Sequence, residues 1–323
     1  MTGIQETQAA VAAPCPTCAD LAYEREGMIE VTGGKVWYGI YGKGNKPPIL
    51  TLHGGPGVSH YYLSPFFKEF SDVTERPIIF YDQLGCGRSE RPSIPSLWTV
   101  EKFRDRLSQV VAALSLTEFH LWGHSWGTTL ALAYAAIQPE GLLSVAFNSP
   151  VFDLPAYRAD LQNLLKTLPQ DIQDSIKHNP PDSEPYLEAL STFYRHFLHT
   201  ADPWPDCFLK AFAGDQFGFE SYRTTVGTDE LNYTGNLTDR NDSRLLLEIT
   251  AHIWFVCGQN DITRPDRCLE YQKRVANSQV TIFQNSSHCY FDEERTEYML
   301  ALCNFVQKHD SHMLRDELKN SSD

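Results

Sequence analysis

The segment GHSWG at residues 123–127 places Ser125 between two glycines, each two positions away. The apolar residues 119–123 predict a strand before the serine, and the alanine-rich residues 128–138 predict a helix after it. A G-x-S-x-G segment between a strand and a helix is typical of a nucleophile on a sharp turn, where glycines keep side chains out of the crowded corner. The helix N-terminus then supports developing negative charge. We therefore predict that Ser125 is a nucleophile.

A serine hydroxyl needs a base to activate it, and the base needs an acid to orient it. Asp261 follows the apolar segment HIWFVCG, and His288 follows the segment VTIF, so both come after predicted strands. Since functional groups gather at the carboxyl edge of a parallel sheet, we predict Asp261 as the acid and His288 as the base. Asp266 is a rival acid, although it falls inside the next predicted helix. His124 is expected to pack behind the turn.

The segment HGGPG at residues 53–57 follows a short buried strand and contains three glycines and a proline. Attack of a serine on a carbonyl group creates an oxyanion, which needs backbone N–H donors already in place. We predict that Trp126, directly after the nucleophile, provides one donor and that Gly55 provides the other. Gly54 is an alternative for the second donor and is otherwise expected to contact the substrate. A purely structural reading of HGGPG as a strand terminator stays open.

The elements that must position these residues alternate between strands and helices. Strands are predicted at residues 48–53, 77–81, 119–123, 142–148, 253–257 and 280–283, after a hairpin at 28–41. Helices are predicted at residues 98–114, 128–138, 265–275 and 296–308. This alternation predicts an α/β fold with a mostly parallel sheet and helices on both faces.

The alternation is interrupted in the middle of the chain. Residues 151–242 contain helix-like stretches, prolines and aromatic segments such as AFAGDQFGFESYR, and we predict no clear strand there. The predicted domains are an α/β core at 25–150 and 243–310, a helical cap at 151–242, a flexible arm at 1–24 and a polar tail at 311–323.

The composition of the 323-residue chain narrows the possible partners. It has 27 Lys and Arg against 41 Asp and Glu, a net charge of −14, which disfavours nucleic acids and anionic membranes. No apolar run approaches the roughly 20 residues that span a bilayer. The N-terminus lacks the basic region of a signal peptide, and eight cysteines are scattered through an ordinary composition. A reduced, cytoplasmic protein is therefore expected.

Two further features of the sequence bear on a metal site and on the location of the protein. Cys15 and Cys18 have the spacing of half a zinc site or of a redox pair. No second pair with zinc-ligand spacing follows and no strand–helix frame surrounds them, so neither a metal nor a cofactor is expected. Five N-glycosylation sequons would fit a secreted protein, and they begin at Asn232, Asn236, Asn241, Asn285 and Asn320. Such tripeptides are common by chance in polar loops, so the expectation of a cytoplasmic protein is kept.

Three segments together resemble one known family. HGGPG, YDQLGCGRS at residues 81–89 and GHSWG occur in the order and at the distances of the proline iminopeptidase family of α/β-hydrolases, which includes related amino-acid amidases. The resemblance covers about residues 25–308. It implies an α/β-hydrolase fold with a helical cap, and a serine hydrolase that releases a small N-terminal residue, often proline. GQNDITRP is similar to the family's acid loop, and NSSH is similar to its histidine loop.

The resemblance also has departures that bear on the substrate. The segment GTDELNYTG at residues 227–235 resembles the family's amine-binding stretch, which implies that Glu230 binds the free amine of the substrate. The family has a second carboxylate directly after the catalytic aspartate, where this chain has Ile262. Leu84 stands where the family often has a positively charged residue.

Three functions fit this sequence. The leading one is an aminopeptidase or amidase acting on small peptides or amino-acid amides. The second is an esterase, amidase or specialised-metabolite hydrolase that needs no free amine, which Ile262 and the aromatic cap favour. The third is a non-catalytic small-molecule binder, against which the complete set of Ser125, Asp261 and His288 argues. The oligomeric state is not predicted.

Overall fold

Eight strands form one sheet in the computed structural model, which describes residues 21–310. The strands of this sheet and of a separate hairpin (β7 and β8) are β1 Arg25–Val31, β2 Gly34–Tyr41, β3 Ile49–Leu52, β4 Ile78–Tyr81, β5 Phe119–His124, β6 Leu142–Asn148, β7 Gly227–Asp229, β8 Asn232–Tyr233, β9 His252–Gly258 and β10 Ser278–Phe283. The order across the large sheet is β1-β2-β4-β3-β5-β6-β9-β10. The six strands β4, β3, β5, β6, β9 and β10 run parallel, whereas β2 pairs antiparallel with both β1 and β4. The predicted mostly parallel sheet is therefore confirmed.

Helices cover both faces of the sheet, as predicted. The helices of the described residues are α1 Ser64–Thr74, α2 Val100–Ala113, α3 Trp126–Ala135, α4 Leu154–Leu165, α5 Gln170–His178, α6 Glu184–Phe197, α7 Asp206–Ala211, α8 Phe219–Thr225, α9 Pro265–Arg274, α10 Tyr290–Glu293 and α11 Arg295–Lys308. Side chains of α2, α3 and α9 belong to one buried cluster, and side chains of α1 and α11 belong to another.

The central strands have no polar face because both of their faces are covered. All four residues of β3 are buried, as are all four of β4. Their side chains alternate between the two clusters: Leu50 and Ile79 join one, and Ile49 and Ile78 join the other. Continuous apolar strands of this kind are expected in a parallel sheet between two helical layers.

Residues 151–242, which we call the cap, contain the five helices α4 to α8. They also contain the short hairpin of β7 and β8, so the expectation of no strand in this segment is wrong. A strand pair of three and two residues is too short to show an alternating pattern. The predicted arm and tail, with Cys15, Cys18 and Asn320, lie wholly or mostly outside the described residues.

One loop of the cap, residues 213–218, is joined to the core by backbone hydrogen bonds. Gly218 N donates to the carbonyl oxygen of Gly57 at 2.8 Å, and Gly87 N donates to that of Gln216 at 2.8 Å. The cap loop therefore lies against the two loops that follow β3 and β4. Residues 21–310 contain no helix with the length and hydropathy needed to cross a bilayer.

Candidate active site

Ser125 occupies a sharp turn between β5 and α3. Its backbone has φ 55° and ψ −124°, which is unfavourable for a residue other than glycine. A Cβ atom on Gly123 would lie 2.5 Å from the carbonyl oxygen of Gly127, and one on Gly127 would lie 2.1 Å from that of Leu52. Neither glycine position accepts a side chain, so the sequence pattern follows from the geometry of the turn.

His288 and Asp261 lie at the same edge of the sheet as Ser125. Nδ1 of His288 is 2.7 Å from Oδ1 of Asp261, and Oδ1 also accepts the N–H of Thr263 at 2.8 Å. The other carboxylate oxygen accepts the hydroxyl of Ser149 at 2.6 Å. The buried carboxylate therefore fixes the imidazole ring in one orientation. Asp266, the rival acid, is exposed in the first turn of α9.

The loop after β3 contains the predicted oxyanion donors. Gly55 has φ 115°, and a Cβ atom on it would lie 2.4 Å from the nitrogen of Gly57. Gly54 lines the same cavity as Ser125, but its N–H donates to the hydroxyl of Tyr62 at 2.9 Å. This hydrogen bond favours Gly55 over Gly54 as a donor. Trp126 is the first residue of α3, so intrahelical bonding leaves its N–H unused.

His53 joins the loop after β3 to the loop after β4. Its Nε2 accepts the N–H of Gln83 at 2.9 Å, and its Nδ1 is 2.9 Å from the carbonyl oxygen of Gly54. Burial lowers the pKa of His53 to about 4, so the ring is neutral at pH 7. A neutral imidazole accepts at one nitrogen and donates at the other, as both contacts require.

His124 packs behind the turn, as expected, and connects three loops of the site. Tyr62 accepts from Gly54 and lies 2.9 Å from Nδ1 of His124, and Nε2 of His124 is 3.0 Å from the carbonyl oxygen of His288. Burial, together with the neighbouring His288, lowers the pKa of His124 well below its usual value. His124 therefore stays neutral and links the glycine loop, the serine turn and the histidine loop.

Glu230 projects from the tip of the β7–β8 hairpin into the site. One of its oxygens accepts the hydroxyl of Tyr222 at 2.8 Å, and the other accepts that of Tyr194. Burial and the charge of Glu230 raise the pKa of both phenols well above the usual value, so both remain donors. The carboxylate is thus held in place at the edge of two connected spaces.

Asp229 shapes the hairpin that carries Glu230. Its carboxylate accepts the N–H groups of Leu231 and Asn232 at 2.9 and 3.0 Å and the hydroxyl of Tyr186 at 2.9 Å. Burial and the neighbouring negative charge of Glu230 raise the pKa of Asp229 to about 6. Both adjacent acids line the main cavity, but the Asp229 carboxylate is engaged by the backbone of its own turn, whereas the Glu230 carboxylate is engaged by two tyrosine hydroxyls.

Two spaces meet at Ser125. The main cavity, of about 370 Å³, is lined by Ser125, His288 and Glu230 together with many apolar side chains. Among these is Ile262, which is buried. The small chamber, of about 20 Å³, is lined by Ser125, Glu230, Gly55 and Trp126 but not by His288. The site therefore has a narrow side next to the oxyanion donors and a wide side next to the histidine.

This geometry agrees with the comparisons to known proteins. A family profile described as the alpha/beta hydrolase fold matches residues 47–295. A proline iminopeptidase of Heyndrickxia coagulans is 36% identical over 286 residues, which is 87% of this chain and 98% of that protein. The chain belongs to the proline iminopeptidase family of α/β-hydrolases. A second family member, from Lactobacillus helveticus, is 32% identical over 296 residues and covers 88% of this chain and 98% of its own.

Solved structures agree with membership of the proline iminopeptidase family. Proline iminopeptidase of Mycobacterium smegmatis superimposes with a TM-score of 0.82 at 26% identity, covering 88% of this chain and 98% of that one. A protein named VinJ superimposes with a TM-score of 0.84 at 27% identity, covering 89% and 99%. An esterase of Exiguobacterium antarcticum, at 19% identity and TM-score 0.66, shares the fold. As a family member, the protein is a hydrolase.

Sequence reasoning missed several residues that position the site of this proline iminopeptidase relative. Ser149 follows β6 and donates to Asp261, and Tyr62 connects Gly54 to His124. Glu293 accepts both the N–H and the hydroxyl of Ser287, at 2.6 and 2.7 Å, next to His288. The place of Ser149 at a strand end was a usable signal, whereas the other two contacts depend on packing alone.

Proposed function

We propose that the protein is an aminopeptidase that removes one small N-terminal residue, such as proline or alanine, from a peptide or amino-acid amide. The observation that carries this proposal is Glu230, a carboxylate in the wall of the cavity that also contains Ser125 and His288. A protonated amine is the group that such a carboxylate binds best, through a charge-assisted hydrogen bond. The names of the curated relatives point to the same reaction.

In the proposed reaction, Oγ of Ser125 attacks the carbonyl carbon of the N-terminal residue while His288 takes the hydroxyl proton. The N–H groups of Gly55 and Trp126 stabilise the oxyanion. His288 then gives its proton to the leaving amine, and the acyl-enzyme forms. Water, activated by the same imidazole, releases the free amino acid. Asp261 orients His288 throughout.

The size of the small chamber supports a small first residue. The oxyanion donors and Glu230 line this chamber, so the acyl residue and its amine occupy it. The chamber is far smaller than the main cavity, which favours a short side chain over a bulky one. We therefore propose glycine, alanine and proline as accepted first residues and expect aromatic residues to be excluded.

The test compares a free-amine substrate, alanine 4-nitroanilide, with its N-acetyl form, using the Ser125→Ala enzyme as the blank. We expect cleavage of the free amine only. Glu230→Gln should raise KM by about ten- to a hundredfold, the value of one charged hydrogen bond. Glu188→Gln is the matched control, because it removes one exposed carboxylate of the cap outside the cavity. Equal rates for the two substrates would contradict the proposal.

A second candidate, an esterase or amidase without need of a free amine, is favoured by one observation. Ile262 lines the cavity and cannot bind an ammonium group. Of the two positions that carry amine-binding carboxylates in the family, only that of Glu230 is therefore a carboxylate in this chain. If Ile262 instead contacts an apolar acyl group, simple esters should be turned over at least as fast as aminoacyl substrates. Glu230→Gln should then leave kcat/KM for those esters unchanged.

We further propose that the protein acts in the cytoplasm. Cys86, Cys257 and Cys289 are buried as free thiols, which supports a reducing compartment, because cysteines stay reduced there. Cell fractionation with detection of the protein in the soluble or the secreted fraction tests this location.

A further inference from the structure

Five aromatic side chains form a continuous strip along one wall of the main cavity. We call Trp204, Phe208, Phe212, Phe217 and Phe219 the aromatic strip. Successive ring centroids are 5.4, 4.9, 6.1 and 5.0 Å apart, and Phe217 also lies 5.1 Å from Tyr222. Since Tyr222 donates to Glu230, the strip leads from the amine-binding carboxylate to the outside of the cap.

Two rings of the strip are exposed to solvent. Phe212 is 41% exposed and Phe219 is 55% exposed, and these are the phenylalanines among the exposed large apolar side chains of residues 21–310. The neighbouring Leu209 also lines the cavity and is 49% exposed. Contiguous exposed apolar side chains rimming a pocket mark a place where an apolar ligand is bound.

The position of His288 determines which half of a substrate reaches the strip. The base that protonates the leaving group must lie on the leaving-group side of the scissile bond. His288 lines the main cavity but not the small chamber, whereas Trp126 lines the small chamber but not the main cavity. The acyl residue therefore occupies the small chamber, and the leaving group enters the main cavity along the aromatic strip.

We propose that the aromatic strip is a binding subsite for a bulky apolar leaving group. Its ligand is an apolar amine, either the hydrophobic second residue of a peptide or a lipophilic amine joined to an amino acid. This inference uses the proposed roles of Ser125 and His288 and does not depend on whether Glu230 binds an amine. It deepens the proposed function by assigning size and apolar character to the part of the substrate that leaves.

The first measurement varies only the leaving group in the wild-type enzyme. Ala-Phe is compared with Ala-Gly, and the 2-phenylethylamide of alanine is compared with its methylamide. We expect kcat/KM to be at least about tenfold higher for the aromatic member of each pair, because a partly buried phenyl ring adds about that much binding. Preference in the dipeptide pair alone identifies a peptide subsite, and preference in the amide pair alone identifies a subsite for lipophilic amines. Equal rates within both pairs would overturn the proposal.

The second measurement uses the double variant Phe212→Ala and Phe219→Ala. Both side chains are exposed, so their removal should leave the fold intact. We expect kcat/KM for Ala-Phe to fall about tenfold, while that for Ala-Gly changes less than about twofold. Leu187→Ala is the control, because Leu187 is a 50% exposed apolar residue of the cap that lies outside the main cavity. Equal losses on both dipeptides would overturn the proposal.

Acetate esters separate this inference from the proposed aminopeptidase function. Methyl acetate and 2-phenylethyl acetate carry no amine and differ only in the leaving alcohol. If these esters are cleaved but aminoacyl substrates are not, the aminopeptidase proposal fails. The ester pair still tests whether the aromatic strip binds the leaving group. The double variant should then lower turnover of 2-phenylethyl acetate alone. If the double variant keeps the wild-type preference for the aromatic leaving group in both the aminoacyl series and the ester series, the subsite is excluded.

Discussion

At the residue scale, the site depends on a carboxylate whose oxygens are all engaged. Asp261 accepts from Ser149 and Thr263 as well as from the ring of His288. These donors hold the carboxylate in the orientation that the imidazole needs, so the ring has its reactive nitrogen directed away from the acid. An aspartate that is exposed and carries no such donors could not replace it.

Asp261→Asn should reduce kcat by several orders of magnitude, about 10⁴-fold, because an amide can favour the wrong tautomer of His288. Asp266→Asn is the matched control, since Asp266 is exposed in the first turn of α9. We expect its kcat to stay within about twofold of the wild-type value. Steady-state kinetics with a 4-nitroanilide substrate provides the measurement. A larger loss of kcat in Asp266→Asn than in Asp261→Asn would identify Asp266 as the acid.

The residues of the site differ in how far the sequence alone predicts them. Ser125, Asp261 and His288 could be predicted because each follows a strand, and parallel strands bring their carboxyl ends together. Glu230 came only from the family resemblance, because its place in the cavity depends on a hairpin of the cap. Tyr62 could not be predicted, since its contact with His124 crosses 62 positions of the chain and leaves no periodic pattern.

At the element scale, the cap loop at residues 213–218 connects the glycine loop after β3 with the aromatic strip. It bonds to the glycine loop after β3 through Gly218 and Gly57, and it carries Phe217 of the aromatic strip. A Cβ atom on Gly218 would lie 2.5 Å from the carbonyl oxygen of Gly85. The absence of a side chain at this position is therefore what lets the cap approach the core so closely.

Gly218→Ala should force the cap loop away from the core. We expect a loss of about 1–3 kcal/mol in the free energy of unfolding, as for other overpacked sites, and a lower kcat/KM. Gly214→Ala is the control in the same loop, because the nearest atom to its Cβ would be 3.9 Å away on Phe219. Urea unfolding and steady-state kinetics check both variants, and equal stability for the two would contradict this account of the close approach.

The elements differ in predictability for a physical reason. Strands and helices of the core have long apolar patterns, so their order and parallel arrangement could be predicted. Helix α3 nevertheless begins at Trp126 rather than at residue 128, because the turn at Ser125 leads directly into it. The hairpin β7–β8 gave no signal, since its strands of three and two residues are stabilised by contacts such as that of Asp229 with Tyr186.

At the scale of the whole molecule, the stability should respond to pH through Asp229. Its pKa of about 6 lies above the value of about 3.9 for an unfolded chain, so the folded protein holds this proton more tightly. The free energy of unfolding should therefore decrease as the pH rises from about 4 to about 6. The pair of adjacent acids in the wall of the main cavity thus lowers the free energy of unfolding at neutral pH.

Asp229→Asn should remove this decrease, because an amide does not ionise and its oxygen still accepts from Leu231 and Asn232. We expect the variant to gain about 1–3 kcal/mol relative to wild type between pH 4 and pH 7. Urea unfolding of both proteins at pH 4.5 and at pH 7 measures the difference. Two parallel pH curves would show that Asp229 does not titrate in this range.

The narrow chamber beside Ser125 has a consequence for how a long peptide would be degraded. Each turnover releases one amino acid and leaves a shortened peptide with a new free amine, which is itself a substrate. A peptide beginning with several small residues should therefore be trimmed stepwise, with intermediates that appear in order of decreasing length. Trimming should stop before the first residue whose side chain is too bulky for the narrow chamber. The position of the first bulky residue therefore determines how far a peptide is shortened, and the end products begin with bulky residues.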